Sequence, residues 1–152
     1  MQKLSNSAIK NLAFVIAISS LVPLATSCSN STPGEISSEV LLDKADVTIL
    51  EEAFNYPVTS NPEVSSSILT LPPGAQTGWH LHEAPLYAYI LEGTLEVTYK
   101  LDGVEKTNVY KKGEAIMEGL DTPHNGANNT DKPVKVLVVN FGSPDLDNSV
   151  KL

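Results

Sequence analysis

The stretch from residue 94 to residue 110 constrains the fold most, because it has the pattern of a β-hairpin. In its first half, Leu95, Val97 and Tyr99 alternate with polar residues, which places them on one face of a strand. Asp102-Gly103 follows, and then a second β-compatible run from Val104 to Tyr110. A two-residue Asp-Gly turn is a strong hairpin signal, since a type I′ turn needs positive φ at both central positions.

Short strands and turns continue on both sides of this hairpin. Residues 86–91 form an apolar run that ends at Glu92-Gly93, residues 115–118 form a short strand, and residues 134–141 form a long, β-branched one. No window from residue 40 onward has a helical period. The pattern predicts an all-β sandwich or small barrel, and a closed barrel would remove the exposed edges of these apolar strands.

Length and charge limit the range of functions. The chain has 152 residues, 41% of them hydrophobic, which suits one globular domain. Its formal net charge is −8, and its ten basic residues are all lysines. Nucleic-acid recognition needs a basic face and relies heavily on arginine, so we expect no nucleic-acid partner.

The N-terminus has the features of an export signal. Lys3 and Lys10 precede an apolar run over residues 12–25, and small residues follow it. Residues 24–28 resemble a bacterial lipobox, in which the cysteine becomes the lipidated first residue, and Cys28 is the chain's one cysteine. The alternative is an ordinary secretory signal with Cys28 as a free thiol. We expect an exported lipoprotein of the periplasm or cell envelope, held at the membrane by its lipid.

The expected organisation has four parts. Residues 1–27 are the signal peptide, and residues 28–40, rich in Ser, Thr, Pro and Gly, are a flexible tether. Residues 41–145 form the barrel domain, and residues 146–152 form a C-terminal tail.

The three histidines fall at two places in the chain. His80 and His82 are two residues apart on a predicted strand, so their side chains point to the same face, about 6.6 Å apart. His124 follows 42 residues after His82 and could complete a metal site with them if all three point inward. The alternative is that the first two are exposed strand residues and that His124 caps a loop.

The residues around these histidines resemble the two sequence motifs of the cupin superfamily. The first motif corresponds to Gly74, His80-Leu81-His82 and Gly93, and the second to Gly113, Asp121-Thr122-Pro123-His124 and Asn128. The resemblance spans roughly residues 45 to 142. It implies a double-stranded β-helix, or jelly-roll barrel, that binds one divalent metal through His80, His82 and His124.

The chain departs from the cupin pattern at one position. Cupins have a glutamate a few residues after the second histidine, as a fourth ligand, whereas Leu86 and Tyr87 occupy this region here. Glu83 directly follows His82 and should point to the opposite face. The resemblance is therefore to three-histidine cupins, with open metal positions that accept Fe, Zn, Mn or Ni.

Glu118 is the candidate replacement for the missing carboxylate. It ends a short predicted strand before the second motif's turn. Pointing inward, its carboxylate could reach the metal or act as a catalytic base. The alternative is a strand end that faces solvent.

Two principal functions remain open. One is an enzyme acting on a small molecule, with dioxygenase-like chemistry for iron or isomerase-like or lyase-like chemistry for other metals. The other is a non-catalytic module that binds or senses a ligand, and a scaffold with a degenerate site is a third reading. We also expect a homodimer, because Trp79, Tyr87 and Tyr89 should lie on the outer face, opposite to inward Leu86, Ala88 and Ile90.

Overall fold

Nine β-strands make up the regular structure of the described chain. The structure is a computed structural model that describes residues 36–53 and 55–152. The strands are β1 Glu63–Leu71, β2 His80–Leu81, β3 Leu86–Glu92, β4 Thr94–Leu101, β5 Val104–Lys111, β6 Ala115–Met117, β7 His124–Ala127, β8 Val134–Gly142 and β9 Val150–Lys151. Those ranges contain no helix, and so no helix long and apolar enough to cross a membrane. The all-β prediction is confirmed.

The strands form two antiparallel sheets. One has the order β1-β8-β3-β6, and the other has the order β5-β4-β7-β2-β9. Strands far apart in sequence are neighbours in both sheets, as in a jelly roll. The side chains between the sheets form the core, which includes Leu86, Ile90, Val97 and Val136.

The predicted hairpin has the expected geometry. β4 and β5 pair in register from Thr94–Lys111 to Leu101–Val104. Asp102 has φ 49° and Gly103 has φ 80°, so both turn residues have the positive φ of a type I′ turn.

The inside and outside of the first sheet alternate as predicted. Leu86, Ala88 and Ile90 are buried, whereas Tyr87 and Tyr89 are half-buried on the other face. Gly93 allows the chain to turn from β3 into β4. It has φ 81°, and a Cβ atom there would lie 2.7 Å from the carbonyl oxygen of Pro133.

The two ends of the chain differ in how the structure describes them. The predicted signal peptide 1–27, Cys28 and most of the predicted tether precede residue 36, so they lie outside the described residues. The segment expected as a C-terminal tail, 146–152, contains β9, which pairs with β2 through His80–Lys151 and Leu81–Val150.

Candidate metal centre

The fold brings the three histidines into one buried cluster. β2 carries His80, His82 follows it directly, and β7 begins at His124, which pairs with His80 across the strands. The ring centroids are 4.4–5.0 Å apart, and the nitrogens available as ligands all lie within 4.8 Å of one another. His80, His82 and His124 are only 8%, 7% and 2% exposed, which rules out the surface alternative.

A backbone carbonyl fixes the orientation of each ring. Nδ1 of His80 lies 2.8 Å from the oxygen of Gly78, and Nδ1 of His124 lies 2.8 Å from the oxygen of Thr122. Nδ1 of His82 lies 2.6 Å from the oxygen of Asn148. A carbonyl oxygen can only accept a hydrogen bond, so each Nδ1 carries the proton and donates it. In a neutral ring, Nε2 then presents a lone pair.

Burial keeps these rings neutral. Desolvation lowers the pKa of His82 to about 4, and it also lowers the pKa of His80 and of His124. Hydrogen bonds to the backbone act in the opposite direction but are the smaller effect. At neutral pH the cluster is therefore a set of uncharged nitrogen donors.

Two of these donors face each other directly. Nε2 of His82 and Nε2 of His124 are 3.2 Å apart. Because both protons are on Nδ1, no hydrogen lies between the two nitrogens, and their lone pairs repel. A cation shared by both nitrogens would remove this repulsion. Metal–nitrogen bonds of about 2.0–2.1 Å allow two ligands of one ion to sit at such a spacing. The donor set thus fits a divalent metal.

The cluster opens into a cavity of about 560 Å³ between the two sheets. The wall is mainly apolar, and its lining includes Leu69, Leu86, Ala88, Leu95, Val97, Ile116, Val136 and Val138. Lys151 is the one cationic side chain among the described residues that line it, and its Nζ donates to the carbonyl oxygen of Thr77 at 2.7 Å. The site therefore accommodates a small organic molecule beside the histidines.

Glu118 also lines this cavity and is buried, so it is not a solvent-facing strand end. Its Oε1 accepts a hydrogen bond from the Tyr99 hydroxyl at 2.5 Å and one from the Gly119 N–H at 3.2 Å. Burial raises the pKa of the carboxyl, against the lowering effect of these two bonds. The group of clustered ligand atoms contains the three histidines and does not include Glu118.

Glu118 lies beside the position where cupins have their glutamate. Its backbone N–H donates to the carbonyl oxygen of Leu86 at 2.9 Å, next to the register pair Tyr87–Met117. Residues opposite each other across antiparallel strands point to the same face. The carboxyl group is therefore on the same side of the sheet as the Leu86 side chain, one strand further along.

The C-terminal segment contributes to the centre in a way that its sequence did not indicate. Asn148 supplies the carbonyl that orients His82, and the Asn148 side chain donates to the Ser65 hydroxyl at 2.9 Å. Asn148, Ser149 and Lys151 line the cavity. A strand of two residues is too short to show an alternating pattern in the sequence. Its place in the sheet is set by its pairing with β2, which the sequence pattern does not reveal.

Tyr99 and Asn140 are two further residues of the site that sequence reasoning missed. Tyr99 was recognised only as one of the residues on the inward face of β4. Asn140 shares its parity with the inward Val134, Val136 and Val138, and it lines the cavity. The sequence signal that could have identified Asn140 is a polar residue in the otherwise apolar inward row of one strand.

Comparison with known proteins agrees with this geometry. Residues 67–140 match the family described as Cupin domain. No curated protein sequence matches the chain.

Solved structures share the fold. A variant of Bacillus subtilis oxalate decarboxylase is 25% identical with a TM-score of 0.52, and the match covers 59% of this chain and 24% of that one. Another structure of that enzyme, which addresses its Mn(II) centres, is 23% identical with a TM-score of 0.51 and coverages of 64% and 30%. An oxalate oxidase is 21% identical with a TM-score of 0.50 and coverages of 59% and 46%.

The chain thus spans about a quarter of the length of the first of these decarboxylase structures. The domain match, the two antiparallel sheets and the buried group of three histidines agree with one another. This protein belongs to the cupin superfamily, and its site is a three-histidine variant without the glutamate of the first motif.

Proposed function

We propose that the protein binds one divalent metal ion through His80, His82 and His124 and acts on a small organic molecule in the adjoining cavity. The observation that carries this proposal is the opposed pair of Nε2 atoms, 3.2 Å apart. Three neutral imidazoles leave the charge of the ion uncompensated and leave positions open for a substrate. A metal held there would polarise an oxygen atom of the bound molecule or, as iron, support dioxygen chemistry.

The identity of the metal is open among Fe, Zn, Mn and Ni. Imidazole ligands suit several of these ions, so geometry and supply decide among them. The similarity to a decarboxylase with Mn(II) centres supports manganese as the first ion to test.

Glu118 is the proposed catalytic base. Glu118 lines the cavity, and burial raises the pKa of its carboxyl above that of an exposed glutamate. Tyr99 would position it, because the Tyr99 hydroxyl donates to one carboxyl oxygen. The other oxygen is then the one able to accept a proton from the substrate.

The relatives suggest oxalate as a substrate to test, but the cavity favours a larger and less polar molecule. Eight aliphatic residues line the cavity, and the chain has no arginine to clamp a second carboxylate. We therefore expect that oxalate turnover, if measured, is far slower than in the decarboxylases.

A non-catalytic binding or sensing module is the second candidate. The observation that favours it is the engagement of Glu118 by Tyr99 and Gly119, because two donors on one oxygen also suit a carboxyl with a purely structural role. The two candidates differ in whether a ligand found by thermal-shift screening is recovered unchanged after incubation with the metal-loaded protein.

Metal analysis of the purified protein tests the proposal. We expect about one equivalent of a divalent metal by elemental analysis and loss of it in His124→Ala. Lys106→Ala is the control, since Lys106 is an exposed residue of β5. Less than a tenth of an equivalent in the wild type, after reconstitution under reducing conditions with each of the four ions, would refute the proposal. Oxygen-consumption assays then separate dioxygen chemistry from the others.

Export and lipid anchoring complete the proposed function. The apolar N-terminus and the position of Cys28 support an exported lipoprotein, which would display the cupin domain at a membrane of the cell envelope. Fatty-acid labelling should mark the wild type and not Cys28→Ser. Labelling of both proteins, or of neither, would rule out this anchor.

A further inference from the structure

The cavity beside the histidines has a positive charge on its wall that the chemistry proposed above does not use. Lys151 is the one cationic side chain among the described residues that line the cavity, and it is exposed. It lies in β9, directly opposite His80 of β2. Residues opposite each other across antiparallel strands point to the same face, so the Lys151 side chain starts beside that of His80. A molecule bound at the histidines would therefore meet this charge.

A backbone contact fixes the position of the ammonium group. The Lys151 Nζ donates to the carbonyl oxygen of Thr77 at 2.7 Å, and Thr77 also lines the cavity. The Thr77 hydroxyl accepts the N–H of Gly126, two residues after His124 in β7, at 2.9 Å. Burial is the main cause of the lowered pKa of His80, and the charge of Lys151 adds to it. The ammonium group is thus tied to the histidine-bearing sheet and is close enough to His80 to interact electrostatically.

This ammonium group has donors left over. A lysine Nζ carries three N–H donors, and the Thr77 carbonyl uses one of them. Within residues 36–53 and 55–152, no carboxylate lies at ion-pair distance from Lys151. Glu118, the acidic residue of the cavity lining, follows β6 in the other sheet and is bonded to Tyr99. A chain with eighteen acidic residues and ten lysines therefore leaves this lysine without an acidic partner from its described part.

We propose that Lys151 binds the carboxylate of a small organic molecule whose other end carries an oxygen-bearing group that binds the metal. This inference rests on the proposed metal site and deepens it. The two ends are joined by an apolar segment, which aliphatic residues of the lining such as Leu69 and Val97 can contact. Lys151 is then a specificity-determining residue that selects an organic acid over its neutral analogue.

The charges of the site favour this class of ligand. Three neutral imidazoles do not compensate the two positive charges of a divalent metal, and Lys151 adds a third. A carboxylate offers two acceptor oxygens to the remaining N–H groups of Lys151. A neutral molecule would leave the ammonium group unmatched. A phosphate group carries nearly two charges and three acceptor oxygens, more than one ammonium group can match.

Substituted benzohydroxamates test the inference on the full-length chain loaded with Co²⁺. The hydroxamate provides the oxygen ligands, and the ring provides the apolar segment. The 3-carboxy, 4-carboxy and 4-carboxymethyl derivatives place a carboxylate at different distances from the metal, and the corresponding primary amides are neutral controls of the same size. The visible absorption of Co²⁺ gives the Kd of each compound. The ratio of the two Kd values of a pair, within one protein, is its carboxylate preference.

We expect at least one carboxylate to bind the wild type about three- to fivefold more tightly than its amide at low salt, as for an ion pair at an exposed site. Lys151→Met should lose this preference, Lys151→Glu should reverse it and Lys151→Arg should keep it. Lys106→Met is the matched control and should keep it too, because Lys106 is an exposed lysine of β5 outside the cavity lining.

Salt and a second variant separate binding from a structural role. Raising the ionic strength from about 0.01 M to about 1 M should reduce the preference of the wild type. Lys151→Gln removes the charge and keeps a donor for the Thr77 carbonyl, so it serves if Lys151→Met does not fold. A lower melting temperature in Lys151→Met together with an unchanged preference would show that Lys151 only ties β9 to Thr77.

The outcomes distinguish the two levels of the proposal. If the wild type binds no Co²⁺, the proposed metal site is wrong and this inference falls with it. If Co²⁺ binds but benzohydroxamate leaves its spectrum unchanged, the binding mode proposed here is wrong and the metal site stands. If benzohydroxamate binds and no carboxylate is preferred over its amide, or if the preference survives in the uncharged Lys151 variants, the role of Lys151 is refuted.

Discussion

At the residue scale, the centre holds three neutral imidazoles, and two of them, His82 and His124, direct their lone pairs at each other. The Nδ1 atoms are occupied by backbone carbonyls, so rotation of a ring to relieve the repulsion would break a hydrogen bond. The folded chain therefore maintains an arrangement that a bound cation makes favourable. Metal binding should accordingly stabilise the native state.

Loss of one ligand should remove this stabilisation. At a metal concentration of about 100 times the Kd, binding adds about 2.7 kcal/mol to the free energy of unfolding, which corresponds to several degrees in Tm. We expect His82→Ala and His124→Ala to lose that shift in a thermal melt with added Zn²⁺. Lys106→Ala should keep it. An undiminished shift in either histidine variant would mean that the ion binds elsewhere.

The burial of the histidines also predicts a pH dependence. The unfolded state takes up a proton at the ordinary pKa of 6.5, whereas the folded state keeps His82 neutral down to about pH 4. Stability from this residue is thus present above pH 6.5 and is lost as pH falls toward 4, by about 3 kcal/mol. His80 and His124 act in the same direction, because their pKa values are also lowered.

Glu118 has the opposite sign. Its raised pKa means that the folded state disfavours the ionised carboxyl. The contribution of Glu118 to the free energy of unfolding therefore falls as pH rises. Urea unfolding of the metal-free protein at pH 7 and pH 4.5 measures the balance. We expect lower stability at pH 4.5 in the wild type and a larger drop in Glu118→Gln, which lacks the opposing group. A wild-type stability that rises on acidification would contradict the assignment of neutral histidines.

Tyr99 gives a test of how Glu118 is held. Removal of its hydroxyl takes a donor from the ionised carboxylate, so Tyr99→Phe should raise the pKa of Glu118 further. Difference infrared spectroscopy of the carboxyl band over a pH series measures this change. Tyr110→Phe is the matched control, because the Tyr110 hydroxyl contacts that of Tyr99 at 3.2 Å and is not bonded to Glu118. Equal shifts in both variants would show that Tyr99 has no specific effect.

At the element scale, the last strand supports the metal centre. β9 pairs with the strand of His80, and Asn148, two residues before β9, orients His82. Proline cannot donate a hydrogen bond in a strand, so Val150→Pro should release β9 and the Asn148 carbonyl with it. Val150→Thr keeps a β-branched residue and the pairing.

Competition with a fluorescent zinc chelator measures the consequence. We expect Val150→Pro to weaken metal binding by 10- to 100-fold, as is typical when a partner that orients a ligand is lost. The Tm of the metal-free protein should fall little, because β9 is a two-residue strand at the edge of its sheet. Unchanged metal affinity in Val150→Pro would mean that β9 does not position the site.

The elements differ in how well their sequence predicts them. Asp102-Gly103 and the alternation in β4 are local signals, and they predicted the hairpin and its turn. The alternation of side chains along any strand likewise predicted that the side chains of His80 and His82 share a face. The pairing of Asn140 with Leu86, and of β9 with β2, joins residues that are distant in the chain. Periodicity contains no information about which strands become neighbours, so the cavity wall could not be assembled from it.

At the scale of the whole molecule, the outer face of the four-stranded sheet remains to be explained. Its outward residues are largely apolar and lie in register across the strands. The apolar ones are Val64, Ile68, Tyr87, Tyr89, Met117, Leu137, Val139 and Phe141, and Ser66, Thr70 and Lys135 share the face. Val64 and Ile68 are 68% and 62% exposed. Contiguous apolar surfaces of this kind are typical of protein interfaces.

We predict that this face joins two copies of the chain in a homodimer, because a two-fold axis would place the apolar rows of one sheet against those of the other. Sedimentation velocity at micromolar concentration should show a dimer for the wild type. Ile68→Lys should shift it to monomer, because the interface would have to bury an unpaired charge. Val104→Lys is the matched control, since Val104 is equally exposed at 67% but belongs to the five-stranded sheet. A monomeric wild type would exclude this interface. A dimer that survives Ile68→Lys and dissociates in Val104→Lys would place the interface elsewhere.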